Sequence, residues 1–377
     1  PSVGADLGQP SSGETSELEE GRPRSPPTDY SCDQGHSPLG EQTRRYGVGC
    51  GLTQAGYDGT GARKEQRAVA QAEEETVQII EDKVYAFSKD NPPCYTAQPG
   101  EVLQFNTLDC FSGRLTDETV TMKDMDFSYN ITNPAAGPVY VEEAEVGDVL
   151  VVDIYDIQVA DEGTIATDDH CGPLFEGTDY RTKKIKIEGG MADFNGVRFP
   201  INPMIGVIGT APDEGAPADG FVGNYGGNMD NKLITKGTRL YFPVRVPGAL
   251  LQMGDVHATM GDAELCGTGI EIAAQITVRV NVLKNFELNW PVLETFGPAG
   301  KWYVNASAQE YNEALVCASK EMQRLLMNIT GWDAVETYMY MSVQSDVEIS
   351  QGCKPCEVQL SLRIGTPKLT EFPPLVG

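Results

Sequence analysis

Apolar and polar residues alternate over much of this chain. In QITVRVNVL (Gln275–Leu283), Ile276, Val278, Val280 and Val282 point one way and Gln275, Thr277, Arg279 and Asn281 the other, which predicts a strand with one buried face. TVQIIEDKVYAF and EVLQFNTLD read as two further strands, joined by the turn-rich SKDNPPCYTAQPG. Val149, Val151, Asp153 and Tyr155 alternate with Leu150, Val152, Ile154 and Asp156, the mark of a strand buried on both faces at its start and solvated further on. Ile185 and Ile187 alternate with lysines, and Asn195–Gly196 marks a hairpin turn. MIGVIGTAP, TRLYFPVRVPGALLQMGD and EVQLSLRIG complete the strand-like runs, while GNYGGNMDN (Gly223–Asn231) reads as part of a long glycine-rich loop.

The period changes to helical near the C-terminus. Tyr311, Leu315, Ala318, Met322, Leu325, Leu326 and Ile329 form an apolar stripe, with Gly331 as the C-terminal stop and Ser307 with Glu310 as an expected capping box. WDAVETYMYMSV predicts a shorter second helix. The fold expected is mainly β (α+β): β-sandwich or barrel-like sheets with a C-terminal helical addition. PVYVEEAEVGDV (138–149) and PVRVPGALLQMGDV (243–256) echo one another, which hints at two related β units, each ending in a Gly-Asp turn.

The first part of the chain breaks this patterning. From Pro1 to Ala68 the only Val, Leu, Ile, Phe or Met residues are Val3, Leu7, Leu18, Leu39, Val48 and Leu52, far below the ~20% that a folding sequence carries. Such a segment cannot bury enough apolar surface to offset its ordering entropy, so residues 1–72 are expected to be disordered. The chain starts without Met and its first methionine is Met122, so this segment is expected to lie outside the working protein.

Charge and cysteine usage narrow the function. With 55 acidic against 28 basic residues the net charge is −27, and nucleic acid is not an expected partner. No run approaches the ~18 apolar residues that span a bilayer, and the N-terminus lacks the basic and apolar regions of a signal peptide. Nine irregularly spaced cysteines fit free thiols in a reducing compartment, so a soluble cytoplasmic protein is expected.

The densest chemistry is GDVHATMGDAELCGTGIE (Gly254–Glu271), where one of only three histidines, His257, sits among Asp255, Asp262, Glu264 and Glu271. An imidazole with carboxylates is a good donor set for zinc or another divalent cation, which would make hydroxide available near neutral pH. Asn228 and Asp230 could orient a small polar substrate, and Asp109 with Cys110 ends a strand beside a loop. DDHCGPL (Asp168–Leu174) offers a His-Cys pair, and CKPC (Cys353–Cys356) has the spacing of half a zinc or redox site, but no second C-x-x-C exists.

QPGEVLQFNTLDCFSG, NPAAGPVYVEEAEVGDVLVVDI and GGNMDNKLITKGTRLYFPVRVPGALLQMGDVHATMGDAELCGTGIE together resemble the acetamidase/formamidase family, from about Thr76 to the C-terminus. The resemblance implies a catalytic domain over residues 73–377 that hydrolyses short linear amides such as formamide and acetamide, assembled as a homodimer or higher homo-oligomer. It maps an acidic position onto Asp109, an H-x-x-x-G-D-x-E element onto His257, Gly261, Asp262 and Glu264, and a G-G-N-M-D element onto Gly226, Gly227, Asn228, Met229 and Asp230. Tyr225 stands where many members carry a histidine. The implied mechanism places a divalent metal, zinc by its ligands, on Asp109, His257 and Glu264. Asp262 or Asp230 would move the proton, and Gly226, Gly227 and Asn228 would bind the substrate oxyanion. Spacing alone leaves open which carboxylate is ligand and which is base. Two other readings also stay open: Cys110 or Cys266 as nucleophile, and a non-catalytic β protein that binds a small ligand.

Overall fold

The computed structural model describes residues 77–125, 128 and 131–376, so the expectation for residues 1–72 lies outside the described residues. Nine strands form one sheet in the order Gln78–Ile80, Val102–Thr107, Ala274–Leu283, Val149–Val159, Arg239–Pro243, Val292–Glu294, Lys301–Ala308, Leu360–Pro367 and Asp346–Gln351. A second sheet runs Val222–Gly223, Gly226–Asn228, Met204–Gly209, Leu251–His257, Ala135–Val141 and Lys83–Val84, with Tyr95–Ala97 added in parallel to Ala135–Val141. Neighbouring strands are otherwise antiparallel except for Gln78–Ile80 against Val102–Thr107. The four-stranded sheet Glu162–Thr167, Arg181–Glu188, Met191–Phe194 and Val197–Pro200 holds the expected hairpin, with Phe194 opposite Val197 across Asn195–Gly196.

The main core lies where the two larger sheets meet. Leu103, Phe105, Leu150, Val152, Ile276 and Val278 of the first bury against a set that includes Ile205, Ile208, Leu251 and Met253 of the second. Val149 instead enters a second core with Trp302, Val304 and the helix Tyr311–Thr330 (α1). The strand Val149–Val159 therefore starts between two cores, as its continuous apolar start predicts, and only later meets solvent.

Helix α1 buries Ala314, Ala318, Met322, Leu325 and Leu326, and Gly331 ends it in the left-handed region (φ 72°) with its N–H on Met327 O. The capping box does not form. Ser307 belongs to the strand Lys301–Ala308, and Glu310 is the N-cap without a side-chain bond, because pairing with Leu360–Pro367 claims Ser307. The second helix, Ala334–Gln344 (α2), is capped by Asp333, whose Oδ1 accepts from the N–H groups of Val335 and Glu336. Among the described residues no helix is long and apolar enough to cross a membrane. The two halves of the sequence echo differ in setting: Gly147–Asp148 is a turn before a strand, whereas Gly254–Asp255 lies inside Leu251–His257.

Candidate active site

Two strands of the second sheet and the segment from Glu264 to Glu271 converge on His257. The strand Leu251–His257 carries Asp255 and His257 two residues apart, which places both on one face. Asp230 follows the short strand Gly226–Asn228, Glu264 lies in the loop beyond His257, and Glu271 bridges back to His257 across an antiparallel pair. His257 Nε2 is 3.1 Å from Glu271 Oε1, 3.6 Å from Asp255 Oδ1, 3.7 Å from Glu264 Oε1 and 4.0 Å from Asp230 Oδ1. All five side chains are buried, none more than 5% exposed.

Backbone geometry holds them there. Asp230, Asp255 and Glu264 have φ values of 41°, 53° and 45°, a region costly for residues with a Cβ and found where surrounding structure enforces it. A Cβ on Gly206 would lie 2.6 Å from Asp230 Oδ1 and 2.7 Å from Asp255 Oδ2, and one on Gly269 would lie 2.7 Å from His257 Nδ1. Both positions therefore require glycine for the acids and the ring to approach. Gln351 Nε2 donates to Asp230 Oδ2 at 2.6 Å and to Glu264 Oε2 at 3.3 Å. Asn133 Nδ2 donates to Asp255 Oδ2 at 3.1 Å, and the Gly269 N–H to Glu271 Oε1 at 2.8 Å.

Electrostatics leave this set unbalanced. Among the described residues no lysine or arginine pairs with any of the four acids. Burial pushes Glu264 up to about 7 and Glu271 up to about 8, with His257 opposing both. Burial, then Glu264 and Asp255, hold Asp230 well above the carboxylate range. Burial would lower His257, but Glu271 and Asp255 outweigh it and hold the imidazole well above its usual value. Asp230 Oδ1, Glu271 Oε2 and His257 Nδ1 are buried without a partner. A buried polar atom left unpaired costs about 1–3 kcal/mol, more when charged. The donors of Asp230, His257 and Glu264 lie within 4.8 Å of one another. Zinc bonds of about 2.1 Å place tetrahedral donors ~3.4 Å apart, so small movements would seat a cation here. Excess buried negative charge, orphan donors and spacing all fit a divalent metal.

A cavity of about 930 Å³ opens beside the cluster. Asp255, Glu264, Glu271, Asn228, Gln351 and Cys110 line it, with His257 and Asp230 behind that wall. Asn228 Oδ1 is buried without a partner, while its Nδ2 donates to Gly220 O at 3.4 Å. Cys110 groups with Asp255 and Glu271, and burial, then these two acids, push its thiol well above the usual range.

The structure brings His257, Glu264 and Asp230 together but not every residue the sequence suggested. Asp109 is spent on a turn, its Oδ1 accepting the Gly113 N–H at 2.7 Å, and it belongs to neither acid group. Asp262 faces away, held bidentately by Arg363 (3.0 Å to each oxygen) and by Lys232 at 2.7 Å. Gly226 and Gly227 are not loop residues. They pair with Met204–Gly209 on one side and Val222–Gly223 on the other, so they do not line the cavity and Asn228 alone of that trio does. Tyr225 is buried against Phe87 with ring centroids 5.1 Å apart, its hydroxyl unpartnered. Asp255 and Glu271, named only as neighbours of His257, are in the site. The period of two along Leu251–His257 puts Asp255 on the face of His257. Gln351 left no sequence signal, because a parallel bridge between Gln351 and Ala263 delivers it.

A mainly β protein with a buried carboxylate–imidazole cluster on a cavity wall has the makings of a hydrolase that works on small polar molecules. The acetamidase/formamidase family model matches residues 73–219 and 222–353, and the chain belongs to that family. The chain is 38% identical to an acetamidase from Bacillus halodurans of known structure (TM-score 0.73), over 77% of this chain and 97% of that one. It is 36% identical to a Thermoanaerobacter tengcongensis protein described as a predicted acetamidase/formamidase (TM-score 0.73; 78% and 96% covered). With the formamidase of Methylophilus methylotrophus it shares 27% identity over 52% of this chain, and it spans 63% of that relative's length.

Proposed function

We propose that this protein hydrolyses short linear amides, formamide and acetamide among them, to the carboxylic acid and ammonia. One observation carries the reading: four buried carboxylates and one imidazole stand at a cavity, and among the described residues no lysine or arginine pairs with them. The names of the family's members agree with it.

Asp230, His257 and Glu264 would hold a divalent cation, zinc by the donor set. When bound, such an ion polarises a carbonyl and brings the acidity of water close to neutral. The chain's own residues do the rest. Gln351 fixes the two carboxylates by donating to both. Glu271 lines the cavity, with one oxygen held by the Gly269 N–H and the other buried without a partner. It takes a proton from the attacking water and returns it to the amide nitrogen, so that the C–N bond breaks with ammonia as the leaving group. Asn228 Oδ1, lacking a partner, accepts an N–H from the substrate and favours an unsubstituted amide.

Ammonia release from formamide and acetamide, measured alongside bound metal, tests this. His257→Ala is expected to lose both metal and turnover. Glu271→Gln should keep its metal while kcat falls about 10²–10⁴-fold. Full turnover in chelated, metal-free protein rejects the metal-dependent reading. A second reading follows from Cys110, which lines the cavity next to Asp255 and Glu271. There the thiol would add to the carbonyl and expel ammonia, leaving a thioester that water hydrolyses to the acid and the free thiol, and full activity of Cys110→Ser removes it.

A further inference from the structure

CKPC lacks a second C-x-x-C in the sequence, but the fold supplies a third thiol from elsewhere. The Sγ atoms of Cys171, Cys353 and Cys356 all lie within 4.8 Å of one another, with Cys353 and Cys356 at 3.6 Å. Backbone pairing makes the meeting: the Gly172 N–H donates to Cys353 O at 2.7 Å, and Cys171 Sγ reaches the same oxygen at 3.5 Å. Asp168 Oδ1 accepts the N–H groups of His170 and Cys171 at 2.8 and 2.7 Å, closing the turn that presents Cys171. Gly267 backs the third thiol, since a Cβ there would lie 2.5 Å from Cys171 Sγ. Cys353 is buried, and Cys171 and Cys356 are half-buried on the cavity wall. Lys354, with its ammonium on Cys356 O and Val358 O, adds positive charge beside them.

We propose that Cys171, Cys353 and Cys356 form a second metal site, a three-thiolate seat for zinc that clasps two loops of the cavity rim. Zn–S bonds of about 2.3 Å place tetrahedral sulfurs ~3.8 Å apart, close to the spacing found here. A disulfide joins two sulfurs and leaves the third over, whereas a cation uses all three. Each thiol gives its proton to solvent as it binds, and the fourth position, on the cavity side, takes water. His170 is not that ligand in this arrangement: its Nδ1 pairs with Asp169 at 2.9 Å and its side chain is 81% exposed. The site is distinct from the acid–imidazole centre, which it neither needs nor completes.

Full-length protein, stripped of metal under reductant and titrated with cobalt(II), tests the site through the sulfur-to-cobalt charge-transfer band. The band should appear in the wild type and weaken stepwise in Cys171→Ser and in Cys171→Ser/Cys356→Ser. It should persist in Cys110→Ser and in His257→Ala, so this site and the proposed catalytic metal fail independently. A variant that does not fold is bypassed by titrating zinc-loaded wild type with a mercurial, which should release about one zinc per chain as three thiols react. No band in wild type that still binds cobalt through His257 overturns the proposal. So does a band abolished by Cys110→Ser, or a Cys353–Cys356 disulfide in protein kept reduced.

Discussion

Two glycines set the dimensions of the acid cluster. Gly206 lets Asp230 and Asp255 approach one another, and Gly269 leaves room for the ring of His257. Gly206→Ala forces a methyl group onto two buried carboxylates and onto Asp255 O, 2.7 Å from the added Cβ. Overpacking of this kind costs about 1–3 kcal/mol, and chemical denaturation should show that loss together with weakened metal binding. Asp262 makes the opposite case, a carboxylate whose partners are cations. Partial burial pushes its pKa up, but Arg363 and Lys232 outweigh this and hold it below its ordinary value of 3.8. Its contribution to stability is therefore present above pH 3.8 and lost as the pH falls through the folded value. Asp262→Asn should unfold more easily than wild type at neutral pH, with the gap closing below pH 3.8, while kcat on small amides stays within a few-fold. A kcat collapse at unchanged stability would return Asp262 to the chemistry.

At the scale of elements, helix α1 lies on the first sheet, whereas the strands carrying Asp230, Asp255 and His257 belong to the second, and the first reaches the site through Gln351. Helix α1 covers Lys301–Ala308 and Leu360–Pro367, in the second core. Leu325→Ala there should cost about 2–5 kcal/mol, read as a shift of the denaturation midpoint, with turnover unchanged while the protein is folded. Tyr311, expected to begin the helical stripe, is exposed at the helix start, but from Leu315 to Ile329 the stripe was legible because its apolar residues repeat at helical spacing. The cap was not, because Ser307 fits a capping box and a strand equally well, and only the partner strand decides. Gly226–Asn228 misled for a related reason. Glycine-rich sequence suggests a loop, yet neighbours on both sides turn it into a strand whose Cβ-free surface allows close backbone approach. Gln351 arrives at the end of the strand Asp346–Gln351, far in sequence from the acids it orients.

For the whole molecule, the governing fact is a buried charge imbalance that a cation would relieve. A metal that binds only the folded chain adds RT ln(1 + [L]/Kd), about 4 kcal/mol at a thousandfold excess over Kd. Chelation should therefore lower Tm, and zinc should restore it, in wild type. The effect should shrink in His257→Ala and shrink further when Cys171 and Cys356 are replaced as well. An unchanged Tm on chelation of metal-loaded protein would mean that neither site ties folding to a cation.

The sequence by itself determined the mainly β character, the C-terminal helix and the candidate region around His257, because these are written in local periodicity and composition. It also grouped Asp230 and Glu264 with His257, through the motif resemblance, and the fold brings the three together. Tertiary structure alone decided which acids face that ring. Asp109 turned to its own loop and Asp262 to Arg363, while Asp255 and Glu271 closed on His257 and Gln351 on Asp230 and Glu264. The reason is that carboxylates are interchangeable in a sequence. Only strand register, a few left-handed backbone positions and the cations available nearby distinguish one that pairs from one left without a counter-charge.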